Sequence, residues 1–328
     1  MHEKRQAKWI LTNSAFLALV SGWTFNCYAQ NYPVKPISIL IGYAAGGGLD
    51  QVARRISPKL SESLGQPVIV QIYAGASGAI ANERVAKAPA DGYTLLLTSG
   101  GSTILPSLRK DMPYDMERDL TPVSLVAIGT GVLIVHPNLP VHNVKELIDL
   151  AKANPGKLNF GSSGIGSFTQ IAGELFNLMA KSKVVHIPYK GNSEVVVAVA
   201  SGQIEMTFGA IPSAQGLLNA GKLKALAVTS IDRSSLMSSL PTLHESGLRG
   251  FDRVNWYGVL APAGVPTELV TRLNALLGRI SNAPDMKDAL NKDGFEVRTT
   301  TPAEYGKFLH SELELNAKIL KLAGVKAE

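Results

Sequence analysis

From residue 37 onward, the apolar positions of the chain alternate between two spacings. Ile37, Ile39, Leu40 and Ile41 form a short, largely β-branched run that reads as a buried parallel strand. Three glycines follow, Gly46 to Gly48. The spacing then becomes helical, with Leu49, Val52, Ala53, Ile56, Leu60 and Leu64 on one side. Pro58 is expected to interrupt that helix. The cycle repeats with a strand at 67–73 (PVIVQIY), a small-residue turn from Ala74 to Gly78 and a helix at 79–87. A strand at 93–98 (YTLLLT) then ends in Ser99-Gly100-Gly101-Ser102, and another is predicted at 120–126. Three successive strands thus finish in small or glycine-rich turns. In an open parallel sheet such turns lie together at the carboxyl edge, where ligands bind.

The cycle restarts in the second half. Strands are predicted at 132–135, 157–160, 184–188, 205–208, 224–229 and 254–260, and helices at 144–153, 168–179, 193–200, 266–280 and 302–322. Between the strand at 157–160 and the helix at 168 lies a second glycine-rich turn, Gly161-Ser162-Ser163-Gly164-Ile165-Gly166-Ser167. Both turns have the same physical meaning. The first N–H groups of a helix lack internal partners and carry the positive end of the helix dipole. Glycine lets a ligand oxygen approach that backbone without meeting a Cβ. Two α/β lobes with facing strand ends would aim both helix N-termini at one anion and close on it by a hinge. Hydrogen bonds to a charged acceptor contribute about 1.5–3 kcal/mol each. Four or five cover the roughly 8 kcal/mol of a micromolar ligand after ordering losses, with no covalent chemistry. A single glycine-rich turn can equally be a tight strand–helix connection, and Asp50 can simply start its helix.

Composition sharpens this picture. The 328 residues suffice for two domains, and 45% hydrophobic with 18% charged residues gives no signature of disorder. The net charge of +6 is scattered and aromatics are 6% of the chain, so no nucleic-acid partner is expected. Lys4, Arg5 and Lys8 precede a mostly apolar stretch from Trp9 to Phe25, and Asn26-Cys27-Tyr28-Ala29 places small residues at positions −3 and −1 of a cut after Ala29. Residues 1–29 read as a secretory signal peptide, too short and too polar for a membrane span. The alternative, lipid attachment at Cys27, lacks the expected preceding residues. Cleavage removes the chain's only cysteine, so the mature protein is expected to have no disulfide.

Enzyme signatures are missing. The first glycine turn lacks the GK[ST] ending of a P-loop and the G-x-G-x-x-G spacing of a dinucleotide site. No G-x-S-x-G surrounds Ser77, Ser162 or Ser163. The six histidines stand apart in sequence, with no zinc-binding spacing, and no metal or other cofactor is expected.

The stretches YPVKPISILIGYAAGGGLD, LGQPVIV, ADGYTLLLTS, YDMERDLTPVSLVA, KLNFGSSGIG, AGELF, HIPYKG, AGKLKALAVTS, PTLHESGL and WYGVLAPAGVP occur in this order from Tyr32 to Pro266. Together they resemble the Bug-type extracytoplasmic solute receptors, the binding proteins of tripartite tricarboxylate transporters. The resemblance implies an α/β fold, a two-lobed periplasmic binding protein (type II-like) with a parallel-rich sheet in each lobe and a hinged cleft. Lobe 1 would be residues 30–127 plus 229–328, and lobe 2 residues 128–228. The implied function is non-enzymatic capture of a small carboxylate in the periplasm by a monomer. The ligand would be a di- or tricarboxylate or an aromatic acid, delivered to membrane transporter subunits. A ligand sensor for a membrane kinase is the alternative role, and an exported hydrolase a further one.

Carried over by position, the first-lobe ligand loop is Tyr43, Ala44, Gly46, Gly47, Gly48 and Asp50, joined by Gly75, Ser77, Gly78, Ser99 and Gly100. The second-lobe loop is Ser162, Ser163, Gly164, Gly166, Ser167 and Thr169, with Tyr189, Lys190 and Gly191 nearby. The chain departs from the family pattern at Ala44 and Ala45, where prolines are expected. It also carries Gly209 where many relatives have Asp. The missing acid at this site position argues against a ligand amino group and for a plain carboxylic acid.

Overall fold

A computed structural model of the chain describes residues 32–43 and 45–325; the signal peptide predicted at 1–29 and Ala44 lie outside the described residues. β1 (Ile37–Ile41) lies between β2 (Val68–Ile72) and β3 (Thr94–Ser99), parallel to both. α1 (Gly48–Leu64) and α2 (Ala79–Ala86) make the crossovers. α1 buries Leu49, Val52, Ala53, Ile56, Leu60 and Leu64, the stripe its sequence spacing predicts. Pro58 does not interrupt it: the helix runs on to a left-handed Gly65. The apolar face on either side of Pro58 holds the turn together, although proline supplies no N–H of its own.

β3 pairs antiparallel with β9 (Val254–Pro262), which pairs antiparallel with β4 (Leu120–Val135). β4 corrects the sequence reading of two strands, at 120–126 and 132–135. It is one strand of 16 residues. The glycines that weaken the strand signal, Gly129 and Gly131, are accommodated within it because larger neighbours use the missing Cβ space. A Cβ at Gly129 would lie 3.6 Å from the Phe295 ring, and one at Gly131 would lie 2.9 Å from the Phe168 ring. The partners of β4 change at this point. Up to Thr130 it pairs with β9, and β10 (Glu296–Val297) pairs with it at Ala127 and Ile128. From Gly131 to Val135 it pairs antiparallel with β7 (Met206–Ala210), and from Val132 with β8 (Lys224–Val228). β5 (Asn159–Ser162) then lies parallel between β7 and β6 (Val185–Pro188). β4 thus joins two mixed sheets, each with two parallel pairings.

Alternation along β4 places Leu133 and Val135 on one face of the second sheet, with Phe160, Phe176 and Phe208. Val132 and Ile134 fall on the other, with Val195, Val196 and Val199. After the short α3 (Gly101–Ile104), α4 (Val144–Ala153), α5 (Phe168–Ala180) and α6 (Asn192–Ala200) cover these faces. In the first sheet, Leu40, Leu96, Leu125, Trp256 and Leu260 share a core. The last long helix, Pro302–Leu322, starts with a capping box between Thr301 and Glu304. It packs Leu309 on the first core and Ile319 on the second. Among the described residues, three α-helices lack a counterpart in the sequence reading: Gly101–Ile104, Ile211–Asn219 and Pro284–Lys292.

Candidate ligand-binding site

The first wall is built where β1, β2 and β3 end. Gly46 is left-handed (φ +82°) and its N–H donates to the Asp50 carboxylate at 2.9 Å. Gly47 is the N-cap of α1 in extended conformation, and no side chain caps the helix. The N-terminal N–H groups therefore keep their hydrogen-bonding capacity and the positive end of the dipole. Gly48 has a packing role: a Cβ there would lie 2.5 Å from the buried Tyr257 hydroxyl. Asp50 is buried and turned toward its own loop, with Arg54 Nε 2.9 Å from its carboxylate. The bond from Arg54, then that from Gly46, holds this carboxyl below the usual carboxylate range.

Tyr43 ties the other two turns to this loop. Its hydroxyl donates to the Ser77 carbonyl at 2.9 Å, and its ring lies 3.2 Å from where a Cβ on Gly78 would stand. Burial raises the Tyr43 phenol, an effect opposed by a hydrogen bond with Ser99. Ala76 and Ser77 are both left-handed without being glycine (φ +46° and +53°), after Gly75 at φ +132°. That backbone costs on the order of 1–2 kcal/mol per residue, a strain of the kind that concentrates at functional sites. Gly100 completes the wall. Its carbonyl accepts from the Thr103 hydroxyl, and Asn255 Oδ1 stands 3.4 Å from its open side. Asn255 escaped the sequence reading. It is partly exposed, donates to Tyr257 at 2.9 Å, and its signal is a single amide in the apolar strand VNWYGVL.

The second wall is the turn between β5 and α5. Ser163 N–H donates to the Thr169 hydroxyl at 2.8 Å, which also lies 2.9 Å from the Ser167 hydroxyl. Ser167 caps α5 through the N–H of Gln170. Gly164 and Gly166 have φ of +126° and +74°, so both positions need glycine. A Cβ at Gly166 would lie 2.5 Å from Leu108. Leu108 belongs to the segment that follows β3 and packs against the core of the second sheet.

Tyr189 is partly buried against the Val195–Val196 core, and its N–H bonds the Ser162 carbonyl at 2.9 Å. Lys190 is exposed, its N–H bound to Glu194. Gly209 lies within β7, and its open side faces Ile134 at 3.1 Å and Val196 at 3.6 Å. Position 209 thus points into the core of the second sheet, and the absence of an acid there carries no information about a ligand amino group. Ser162 and His186 make the contact of a nucleophile and its base, Oγ to Nε2 at 2.6 Å. However, Ser162 is fully buried and the other ring nitrogen faces the Gln170 amide, where a triad places a carboxylate. The arrangement is a set of hydroxyl and backbone N–H donors suited to holding an anion. Among the described residues there is no cluster of metal-ligating side chains, and no helix is long and apolar enough to cross a membrane.

The family model described as "Tripartite tricarboxylate transporter family receptor" matches residues 52–325. BugT of Bordetella pertussis is 34% identical over 91% of this chain and 92% of its own length. Rpa4515 of R. palustris, solved with adipate, is 34% identical with a TM-score of 0.77, covering 90% of this chain and all of that one. MatC of Rhodopseudomonas palustris, solved with bound malate, is 28% identical with a TM-score of 0.72, covering 88% of this chain and all of that one. These similarities agree with the α/β architecture of two sheets joined by β4 and identify it as the two-lobed periplasmic binding protein fold. The chain belongs to the Bug-type receptors of the tripartite tricarboxylate transporter family.

Proposed function

We propose that the protein is an exported receptor that captures a small carboxylate between its lobes and hands it to the membrane subunits of a tripartite transporter. Lobe 1 comprises residues 30–127 and 229–328, and lobe 2 residues 128–228. The observation that carries this reading is the pair of glycine-entered helix starts, the uncapped α1 and the hydroxyl-rich turn before α5. The first offers the uncapped N–H groups of its helix start and the second the hydroxyls of Ser163, Ser167 and Thr169, and neither provides a reactive group. The ligands of the similar proteins, adipate and malate, are dicarboxylates. Two walls of donors suit a molecule with an acid at each end, so a dicarboxylate is the favoured class ahead of tricarboxylates and aromatic acids.

A thermal-shift screen of the refolded mature chain against mono-, di- and tricarboxylates, aromatic acids and amino acids tests the reading. A ligand at a hundredfold excess over Kd stabilises the folded state by about 2.7 kcal/mol. A shift confined to carboxylates is expected. No shift with any carboxylate would overturn the reading.

A further inference from the structure

Ser162, His186 and Gln170 form a network behind the second wall in which every proton has one consistent place. Gln170 Oε1 accepts from Gly166 N–H at 2.8 Å, so the amide nitrogen of Gln170 must face the other way. It lies 3.4 Å from His186 Nδ1, which therefore accepts. The imidazole proton then sits on Nε2, 2.6 Å from Ser162 Oγ. Ser162 Oγ accepts from that N–H and from Gly164 N–H at 3.2 Å, and donates its own proton to the Gly164 carbonyl at 3.1 Å. Phe160 stacks on the imidazole with centroids 5.0 Å apart. The parallel register of β5 and β6 sets Phe160 beside His186 and Ser162 beside Pro188, which brings the three side chains together.

From this geometry we infer that His186 and Gln170 are positioning residues for ligand binding. They touch no ligand themselves. The neutral Nε2–H imidazole fixes the Ser162 hydroxyl on one side and the Gln170 amide on the other. Those two groups hold Gly164 and Gly166, whose left-handed backbones shape the second wall. This inference rests on the carboxylate-receptor reading for its consequence, the affinity, but the loop geometry can be measured without a ligand.

The test compares wild type with H186F and H186Q. Phenylalanine preserves the ring and its stacking but removes both nitrogens. Glutamine restores a neutral acceptor and donor two bonds apart, as in the neutral imidazole. In the ligand-free protein, the 15N shifts of His186 should report the Nε2–H tautomer. Amide exchange at Gly166 should be slow in wild type and H186Q and at least tenfold faster in H186F. Titration with adipate and with malate should show, for whichever the wild type binds, at least tenfold weaker binding by H186F and recovery to within threefold by H186Q. An Nδ1–H tautomer, or unchanged Gly166 exchange in H186F, would overturn the inference even if no ligand were found. Unchanged affinity in a folded H186F would overturn it while leaving the receptor reading intact. Absence of binding by wild type would instead remove the receptor reading, and the exchange data would still decide the positioning role.

Discussion

Replacing Gly47 by serine sets stability against binding. Gly47 is the exposed N-cap of α1, with φ −76° and ψ 167°, a conformation any residue adopts, so the substitution brings no backbone strain. A serine hydroxyl there would accept from the N–H of Leu49 or Asp50, as serine does at other N-caps. Serine improves on glycine as a cap by a few tenths of a kcal/mol, and losing a glycine from the unfolded chain adds about 0.4–1 kcal/mol. The sum, about 0.7–1.4 kcal/mol, raises the melting temperature by roughly 1–2 °C for a chain of this length. The same hydroxyl takes an N–H from the ligand. One lost bond to a charged acceptor is about 1.5–3 kcal/mol, or about 10- to 150-fold in Kd. Calorimetric titration beside a thermal melt measures both. Gly47→Ala separates bulk from capping: it brings no acceptor, so its loss of affinity must be smaller than serine's. A serine variant that is more stable yet binds like wild type would refute the assignment of the α1 start as an anion site.

Three further outcomes follow from the packing. Tyr305 is fully buried with no hydrogen-bond partner for its hydroxyl among the described residues, so Tyr305→Phe should be neutral or stabilising by up to about 1 kcal/mol in urea unfolding. Arg253 and Glu312 are a buried pair at 2.7 Å, with Trp256 Nε1 donating to the same carboxylate at 3.2 Å. Arg253→Met strands that carboxylate and should cost about 3–5 kcal/mol in the same assay. The Asp50 carboxyl has a lowered folded pKa, caused first by Arg54, so its stabilisation is present above the unfolded pKa and is lost as pH falls through the folded one. Asp50→Asn should therefore melt below wild type at pH 7, and the difference should close on acidification below about pH 4.

Much of this was legible in the sequence, because local periodicity sets elements whose faces are buried. The stripe along α1, the run at Ile37 to Ile41 and the amphipathic stretch from Pro302 to Leu322 all name their own structure. Elements decided by distant neighbours were harder to read. Gly129 and Gly131 look like a break until Phe295 and Phe168, far along the chain, are seen to occupy the space beside them. The helix Ile211–Asn219 buries only Ile211 and Ala214, too few positions to mark a period. The same division holds in the site. Glycine turns at strand ends can be read locally, but the roles of His186 and Asn255 depend on pairings across the sheets. His186 stands apart from the other histidines in sequence and meets Ser162 only through the register of β5 with β6. Gly209 shows the converse error, a position singled out by analogy that packs into the core.

Calorimetric titration of the refolded chain of residues 30–328 with adipate and malate, each beside its dimethyl ester, tests the central claim most directly. The account predicts one site per chain for at least one of the two acids, with micromolar affinity, and no heat from the corresponding ester. Equal binding of acid and ester, or no binding of either acid by the folded protein, would contradict it.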